Sequence, residues 1–156
     1  MTYKLDSTAV TAVVPEIAML RINNNDTPLT TSSVILFEDN ISNATFNGIS
    51  SDLTITNAGL TLGAGHWQLQ ALVAIDNDDD LDNFIEYQWY VDGTATGAQG
   101  NSEIDKHTNA DSADVCVSVD SGTVDLELKI INQGYSSGKL LLMEEYSPCL
   151  IWKVGV

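Results

Sequence analysis

Positive charge is scarce in this sequence. Of its 156 residues, 6 are lysine or arginine and 22 are aspartate or glutamate, which gives a formal net charge of -16. Because a field of this sign repels phosphate backbones, we expect no direct binding to nucleic acid. In the simplest interpretation the acidic surface serves solubility, and it also suits a basic partner or a bound cation.

Long apolar runs and targeting segments are missing too. No stretch approaches the roughly 18 consecutive apolar residues of a transmembrane helix, so we expect no membrane partner. Residues 1–20 lack the basic start and apolar core of a secretory signal. We therefore expect folding in cytoplasm, where Cys116 and Cys149 default to reduced thiols in the core. A disulfide between them stays open as an alternative, because spacing does not set connectivity.

Motifs that carry catalysis are absent from the sequence. It contains two histidines, His66 and His107, and none of the GxSxG, HExxH, CxxC or phosphate-binding glycine patterns. His66 stands beside Trp67 in a predicted strand, which favours a packed or interface imidazole. We therefore expect a protein that is not an enzyme.

One acidic run is a weak candidate for a calcium site. Four carboxylates stand at alternate positions, namely Asp76, Asp78, Asp80 and Asp82. Calcium prefers six to eight oxygen ligands, but an EF-hand loop would need glycine at Leu81 and glutamate at Tyr87. A solvated hairpin tip is the favoured interpretation, so we expect no cofactor, with calcium as the alternative.

Period-two alternation dominates the rest of the chain. It is clearest in 58–76, where one face of a predicted strand holds Trp67, Leu69, Ala71, Val73 and Ile75. Gly63 and Gly65 are expected to take positive φ angles at its start. Further short strands are predicted at 34–37, 44–49, 53–56, 84–91, 115–119, 124–130, 139–143 and 149–154, with a long loop at 94–112. Strands at regular turn spacing predict an all-β jelly-roll β-sandwich.

The first 33 residues differ from the remainder. Pro15 and Pro28 interrupt any strand ladder, and 23–26 reads as a turn. We predict an extended N-terminal arm at 1–33, with one or two edge strands, and a jelly-roll domain at 34–156. An arm of this kind more often contacts a neighbour than carries chemistry.

A second anomaly is the run 140–143, which is apolar at every position. One side can fill the core, while the other needs a cover, supplied either by the arm of the same chain or by another subunit. Exposed apolar patches usually mark association, so we favour a subunit interface. The predicted interface residues are Phe84, Tyr90, Ile131, Leu140, Leu141, Leu142 and Met143.

Two stretches, 62–71 and 87–93, carry a resemblance to a known superfamily. The sequence resembles the jelly roll of the tumour necrosis factor and complement-head proteins, in which a glycine and an aromatic residue open a central strand, as Gly65 and Trp67 do here. The resemblance extends over about 34–154 and implies a homotrimer. Such jelly rolls occur in animal ligands, in bacteriophage fibres and in capsid decoration proteins.

Among these alternatives, the resemblance implies a bacteriophage capsid decoration (cement) protein. Such a protein binds the outer capsid surface as a trimer and stabilises the shell, so the expected partners are further copies and the major capsid protein. It would be made in the host cytoplasm and end on the virion surface. The predicted capsid-binding residues of the arm are Val10, Val13, Val14, Ile17, Met19 and Leu20. The alternative is a glycan-binding fibre module that uses Tyr135 and the 94–112 segment.

Overall fold

The computed structural model describes residues 16–23, 30–38, 52–76, 83–104, 108–134, 141–142 and 147–153. The regular structure in these segments is entirely β-strand, so the predicted all-β class is confirmed. None of the described residues belongs to a helix that could cross a membrane.

Thirteen strands are formed by the described residues. They are β1 (Glu16–Asn23), β2 (Val34–Glu38), β3 (Leu53–Thr56), β4 (Gly59–Leu62), β5 (Gly65–Ala71), β6 (Ile75–Asp76), β7 (Asn83–Val91), β8 (Thr94–Ile104), β9 (Thr108–Asp111), β10 (Ala113–Val119), β11 (Val124–Gly134), β12 (Leu141–Leu142) and β13 (Pro148–Lys153).

The strands form two antiparallel layers. Sheet 1 has the order β10-β5-β13-β1, and sheet 2 has the order β3-β4-β11-β7-β8-β9. With β2, β3, β6, β9 and β12 set aside, eight strands remain, and in chain order they pair as 1-8-3-6 and 2-7-4-5. This double Greek-key order is that of a jelly roll.

Two corners join the sheets into a nearly closed barrel. At one corner β2 pairs with β1 through Phe37 and Ile22, and with β11 through Ile35 and Leu128. At the other, the chain leaves β9 of sheet 2 and enters β10 of sheet 1 directly through Ser112. The corner at β2, which pairs with a strand of each sheet, leaves fewer strand edges open than two separate sheets would have.

The core lies between the sheets and follows the predicted alternation. Trp67, Leu69, Ala71, Val73 and Ile75 are all buried, as the 58–76 pattern predicts. The regular strand nevertheless ends at residue 71, before the short strand β6. Period-two alternation therefore identified the inward face correctly beyond the end of the strand itself.

Aromatic side chains connect the two layers. The ring of Trp89 stacks on Phe37 with centroids 5.7 Å apart, and its Nε1 donates to the carbonyl of Ala113 at 3.0 Å. The hydroxyl of Tyr87 donates to the carbonyl of Asp111 at 2.7 Å and accepts from the amide of Val73 at 3.0 Å. These contacts position sheet 2 against the β10 edge of sheet 1.

Within the predicted loop 94–112, residues 94–104 and 108–111 form strands β8 and β9 instead, and 105–107 lie outside the described residues. The prediction failed because this segment is rich in glycine and carries no alternating apolar pattern. Its glycines serve close approach: a Cβ at Gly97 would meet the backbone of Asp114, and one at Gly100 would meet the Tyr87 ring. Gly97 also takes a φ of 80° at a bulge where the pairing with β7 shifts register.

The arm prediction is wrong for residues 16–23. Strand β1 lies between β13 and β2, so it is not an edge strand, and Leu20 and Ile22 are fully buried in the core. Pro15 precedes β1 rather than interrupting it. Residues 1–15, which hold the remainder of the predicted arm before β1, lie outside the described residues, as do 24–29.

The two glycines before β5 have different roles. Gly65 takes a φ of 145°, as predicted, whereas Gly63 does not have a positive φ. A Cβ at Gly63 would meet the Cβ of Asp52 at 3.0 Å, and its carbonyl accepts a hydrogen bond from Trp67 Nε1 at 2.9 Å. Close packing, not chain reversal, therefore explains Gly63.

Candidate interaction surface

The outward side of sheet 1 carries an unexpected apolar patch. Side chains that alternate with the core residues of β1 and β13 point away from the sandwich. In register, Ile17 lies opposite Trp152, and Met19 lies opposite Leu150. Cross-strand neighbours of this kind have Cβ atoms about 4.5–5.5 Å apart, so the four side chains adjoin. All four are half-buried, and we call them the apolar patch.

A groove continues the apolar patch toward one end of the sheet. Its volume is about 350 Å³, and its apolar lining comes from Leu72, Ala110, Pro148 and Leu150. On its polar side, Gln70 Nε2 donates to Ser112 Oγ at 3.1 Å, and Asp111 adds a carboxylate. The combined surface is therefore concave as well as apolar, which suits a protein side chain from outside.

The β5 and β10 side of the same face is polar but mostly neutral. His66 Nδ1 lies 2.9 Å from Ser118 Oγ, and both residues are exposed. Gln68 and Cys116 are exposed in the row between them and the groove. His66 is thus a surface residue of sheet 1. Of the two predicted environments for its imidazole, packed in the core or at an interface, this position is compatible with the second.

Charged side chains occur at the margins of this face. Arg21 is exposed and lies opposite Glu38 across β1 and β2, but it forms no ion pair with any described residue. Asp114 lies on β10, at the opposite margin, and its Oδ1 atom is shielded from solvent without a hydrogen-bond partner. A shielded, unpartnered carboxylate oxygen is costly and needs an explanation.

The outward side of sheet 2 has a different character. Thr61 Oγ1 donates to Asp125 Oδ1 at 2.6 Å, and Asn132 Nδ2 donates to Glu86 Oε2 at 3.1 Å. Lys129 pairs with a neighbouring glutamate, Glu127, at 2.6 Å. Its ammonium also lies 4.8 Å from the ring centroid of Tyr90. Polar groups on this face therefore satisfy one another, as on an ordinary solvated surface.

The predicted interface residues are not brought together. Phe84 and Tyr90 are half-buried on the outer face of sheet 2, but six positions apart on β7, or roughly 20 Å. Phe84 lies against Gly134, where a Cβ would clash with its ring. Ile131 is the extra residue of a bulge in β11. Of the 140–143 run, Leu141 and Leu142 form β12.

Strand β12 is not a strand of either large sheet. It pairs with β6 in a separate two-stranded sheet, in which Leu142 lies opposite the buried Ile75. Leu140 and Met143 lie outside the described residues. Alternation could not reveal this pairing, because a two-residue contact leaves no periodic pattern.

The predicted capsid-binding residues have three different outcomes. Ile17 and Met19 belong to the apolar patch, so they are available on the surface. Leu20 is fully buried between the sheets, so its predicted role in shell contact is wrong. The strand geometry explains this split, because neighbouring residues point to opposite faces. Val10, Val13 and Val14 lie outside the described residues.

The predicted metal candidates are not assembled by the described part of the chain. Asp76 ends β6, while Asp78, Asp80 and Asp82 lie outside the described residues. Within the described segments, no group of three or more His, Cys, Asp or Glu residues could hold a metal ion. The notable buried cation is Lys153, which pairs with Asp52 and lies 5.2 Å from the centroid of Trp67.

The cysteines are both free, and they differ in environment. Cys149 is buried in the core, and this burial raises the pKa of its thiol. Cys116 is exposed on the outer face of sheet 1, so its assignment to the core is wrong. The alternation of Val115, Val117 and Val119 inward requires Cys116 to point outward.

Leu150 and Trp152 are the surface residues that the sequence reasoning missed. They alternate with Cys149 and Ile151, which are buried, so β13 is apolar on both faces. The argument applied to 140–143 would have found them. Compared with models of known protein families and with curated proteins, the chain matches none. Its function is therefore argued from the fold and its surfaces.

Proposed function

We propose that this protein is a bacteriophage capsid decoration protein that binds the outside of the shell as a homotrimer and stabilises it. The resemblance of 62–71 and 87–93 to trimeric jelly rolls suggests this role, and the jelly-roll strand order of the described residues supports it. Because one fold serves many functions, the surface must carry the rest of the argument.

The observation that carries the proposal is the apolar patch on sheet 1. A solvated monomer gains nothing from Trp152, Leu150, Met19 and Ile17 side by side, whereas an assembling protein gains the free energy of covering them. Copies joined in this way would bind a shell multivalently, so weak contacts add to high avidity.

The shell contact is assigned to residues 1–15. Val10, Val13 and Val14 fall in this segment, immediately before β1. The boundary matters for the experiment: removal of 1–33 would delete the central strand β1 and with it Leu20 and Ile22 from the core. A deletion limited to 1–15 leaves every described strand intact.

The proposal is tested by mixing the purified protein with undecorated capsid shells and measuring co-sedimentation. We expect the full chain to pellet with the shells and to raise their resistance to heat or low salt. The 1–15 deletion should stay in the supernatant while keeping its β-sheet circular dichroism. Full binding by the deletion variant would refute the shell-contact assignment, and no binding by the full chain to shells of its own phage would refute decoration.

A glycan-binding fibre module is the second candidate, and one cleft favours it. This cleft, of about 490 Å³, includes Thr56, Thr61, Asp92, Asp125 and Glu127 in its lining. Hydroxyls and carboxylates can hydrogen-bond sugar hydroxyls. Saturable binding on a glycan array that Asp125→Asn abolishes would favour this function. A capsid-surface location in micrographs of the virion would reject it.

A further inference from the structure

We infer that the outer face of sheet 1 is the contact between copies of this chain, with the apolar patch at its centre. The inference deepens the proposed function, since it rests on the assembly proposed there, and it replaces the predicted interface around 140–143. The occupant of the face is a second copy of the same protein.

The outer face of sheet 1 has the residue types of an interface. Strands β1 and β13 come from opposite ends of the chain, yet their register sets Ile17 against Trp152 and Met19 against Leu150. The groove beside them, lined by Leu72 and Pro148, extends the apolar area. Tryptophan and methionine are the residue types enriched at the centre of protein interfaces. The face therefore has the composition of an interface core with a polar rim.

The charge distribution of the outer face of sheet 1 favours a second copy as its partner. A chain of net charge -16 repels its own copies, so self-association needs a face with few carboxylates. On and beside the outer face of sheet 1, the described carboxylates are those of Glu38 and Asp114 at the margins and of Asp111 at the groove, and none of them belongs to the apolar patch. A basic partner would gain little electrostatic attraction on this face and would bind more favourably to the acidic outer face of sheet 2. The neutral centre consequently favours a second copy.

Two charged residues at opposite margins of the face form no ion pair with any described residue, although Arg21 lies opposite Glu38 in register. Arg21 on β1 and Asp114 on β10 are separated by β13 and β5, so at least about 14 Å lies between their strands. They cannot pair within one copy. A contact that sets the β1 margin of one copy against the β10 margin of the next would bring Arg21 of one to Asp114 of the other. A contact between two different margins forms a ring, such as a trimer, when the rotation between copies closes.

The test compares matched double variants on the two faces. Met19→Glu with Leu150→Glu places two carboxylates in the apolar patch, and Gln88→Glu with Tyr90→Glu places two on sheet 2. We expect the first variant to weaken self-association by about 100-fold or more in sedimentation equilibrium, and the second to leave it within about threefold. An unchanged first variant, or equal loss in both, would overturn the inference.

A measurement on the unmodified chain keeps the test independent of variant folding. Trp67 and Trp89 are buried, so Trp152 is the tryptophan that acrylamide can reach. On raising the protein concentration through the association range, we expect acrylamide quenching to fall as Trp152 becomes covered. Quenching that stays constant while the mass increases would place the contact elsewhere, and a mass that stays monomeric would remove the contact altogether.

Charge exchange tests the pairing of Arg21 with Asp114 between copies. Arg21→Asp and Asp114→Arg should each weaken association, and the double variant Arg21→Asp/Asp114→Arg should restore most of it. Failure of the double variant to recover would refute this pairing. The outcome is separable from decoration: a chain that assembles through sheet 1 but does not bind shells keeps this inference and loses the proposed function.

Discussion

The two outer faces of the sandwich arise from the same alternation of side chains along the strands, but one face is polar and the other carries an apolar patch. On sheet 2, Asp125 accepts from Thr61, Glu86 accepts from Asn132, and Lys129 lies between Glu127 and Tyr90. On sheet 1, the equivalent outward positions of β1 and β13 hold apolar side chains. On sheet 2 the polar side chains bond one another, whereas sheet 1 exposes an apolar surface that a partner would cover.

This difference indicates that the outer face of sheet 1, unlike that of sheet 2, is not adapted for solubility alone. Carboxylates repel copies of the same chain, and each one placed outward on sheet 2 makes association there less favourable. Their near absence from the centre of sheet 1 is therefore informative in a chain this acidic. An apolar side chain alone on a surface is ordinary, but four in register across two strands form a patch.

The largest expected effect belongs to the core that both faces share. Trp89→Ala removes a fully buried ring that stacks on Phe37 and donates to Ala113, so we expect the free energy of unfolding to fall by about 3–5 kcal/mol. Tyr90→Ala, on the outer face of the same strand, should cost less than about 1 kcal/mol. Urea denaturation measures both, and a similar loss in each would mean that sheet 2 has no solvated outer face.

Tyr87 provides the next largest effect, through its contacts at the edge between the sheets. Burial raises the pKa of Tyr87 to about 12, so the unfolded chain releases this proton at lower pH than the folded one. The stabilisation is present below pH 10 and lost as the pH rises toward 12, by about 2–3 kcal/mol. In Tyr87→Phe this component of the pH dependence should disappear, at the cost of about 1–3 kcal/mol at neutral pH from the unpaired Val73 amide. An alkaline unfolding profile unchanged by the substitution would contradict the assignment.

A smaller effect separates the polar groups of the two faces. Thr61→Val removes the donor to Asp125 on sheet 2 and should lower the free energy of unfolding by about 0.5–1 kcal/mol. Gln68→Leu, at an exposed position on sheet 1, should change it by less than about 0.5 kcal/mol when measured on dilute protein. The reverse order would indicate that the polar network of sheet 2 contributes little.

The smallest effect on stability is expected at the cysteines, where reactivity is the useful measurement. Cys116 should react with a thiol reagent in the folded protein, and its modification should change the unfolding free energy by less than about 0.5 kcal/mol. Cys149 should react after unfolding, because it is buried and its thiol pKa is raised. Rapid reaction of both thiols would show that sheet 1 opens locally.

Much of the fold could be predicted from local pattern. Strands with clear alternation, such as those around Leu69, Tyr87 and Val117, were located with the correct inward face, and the all-β class followed. The failures have a common cause. Residues 94–104 form a strand in which Gly97 packs closely against Asp114 and Gly100 against Tyr87, and a glycine does not itself reveal which residue packs against it.

The surface was less predictable than the fold. Ile17 and Met19 are predicted as shell-contact residues of a separate arm together with Leu20, but all three belong to β1 and Leu20 is buried. Leu150 and Trp152 were missed, and Phe84, Tyr90 and Ile131 were grouped although the structure does not bring them together. The sequence shows which residues are apolar, but it does not show which residues of distant segments become neighbours.

By itself the sequence determined the charge, the all-β class and the side of each regular strand that faces inward, because these depend on composition and on a period of two residues. The tertiary structure alone decided which outward side chains become neighbours. Residues 16–23 and 148–153 lie far apart in the chain, and their antiparallel register is set by burial of Leu20 and Cys149 between the sheets. That non-local pairing, which no local pattern encodes, turns four scattered apolar residues into one surface.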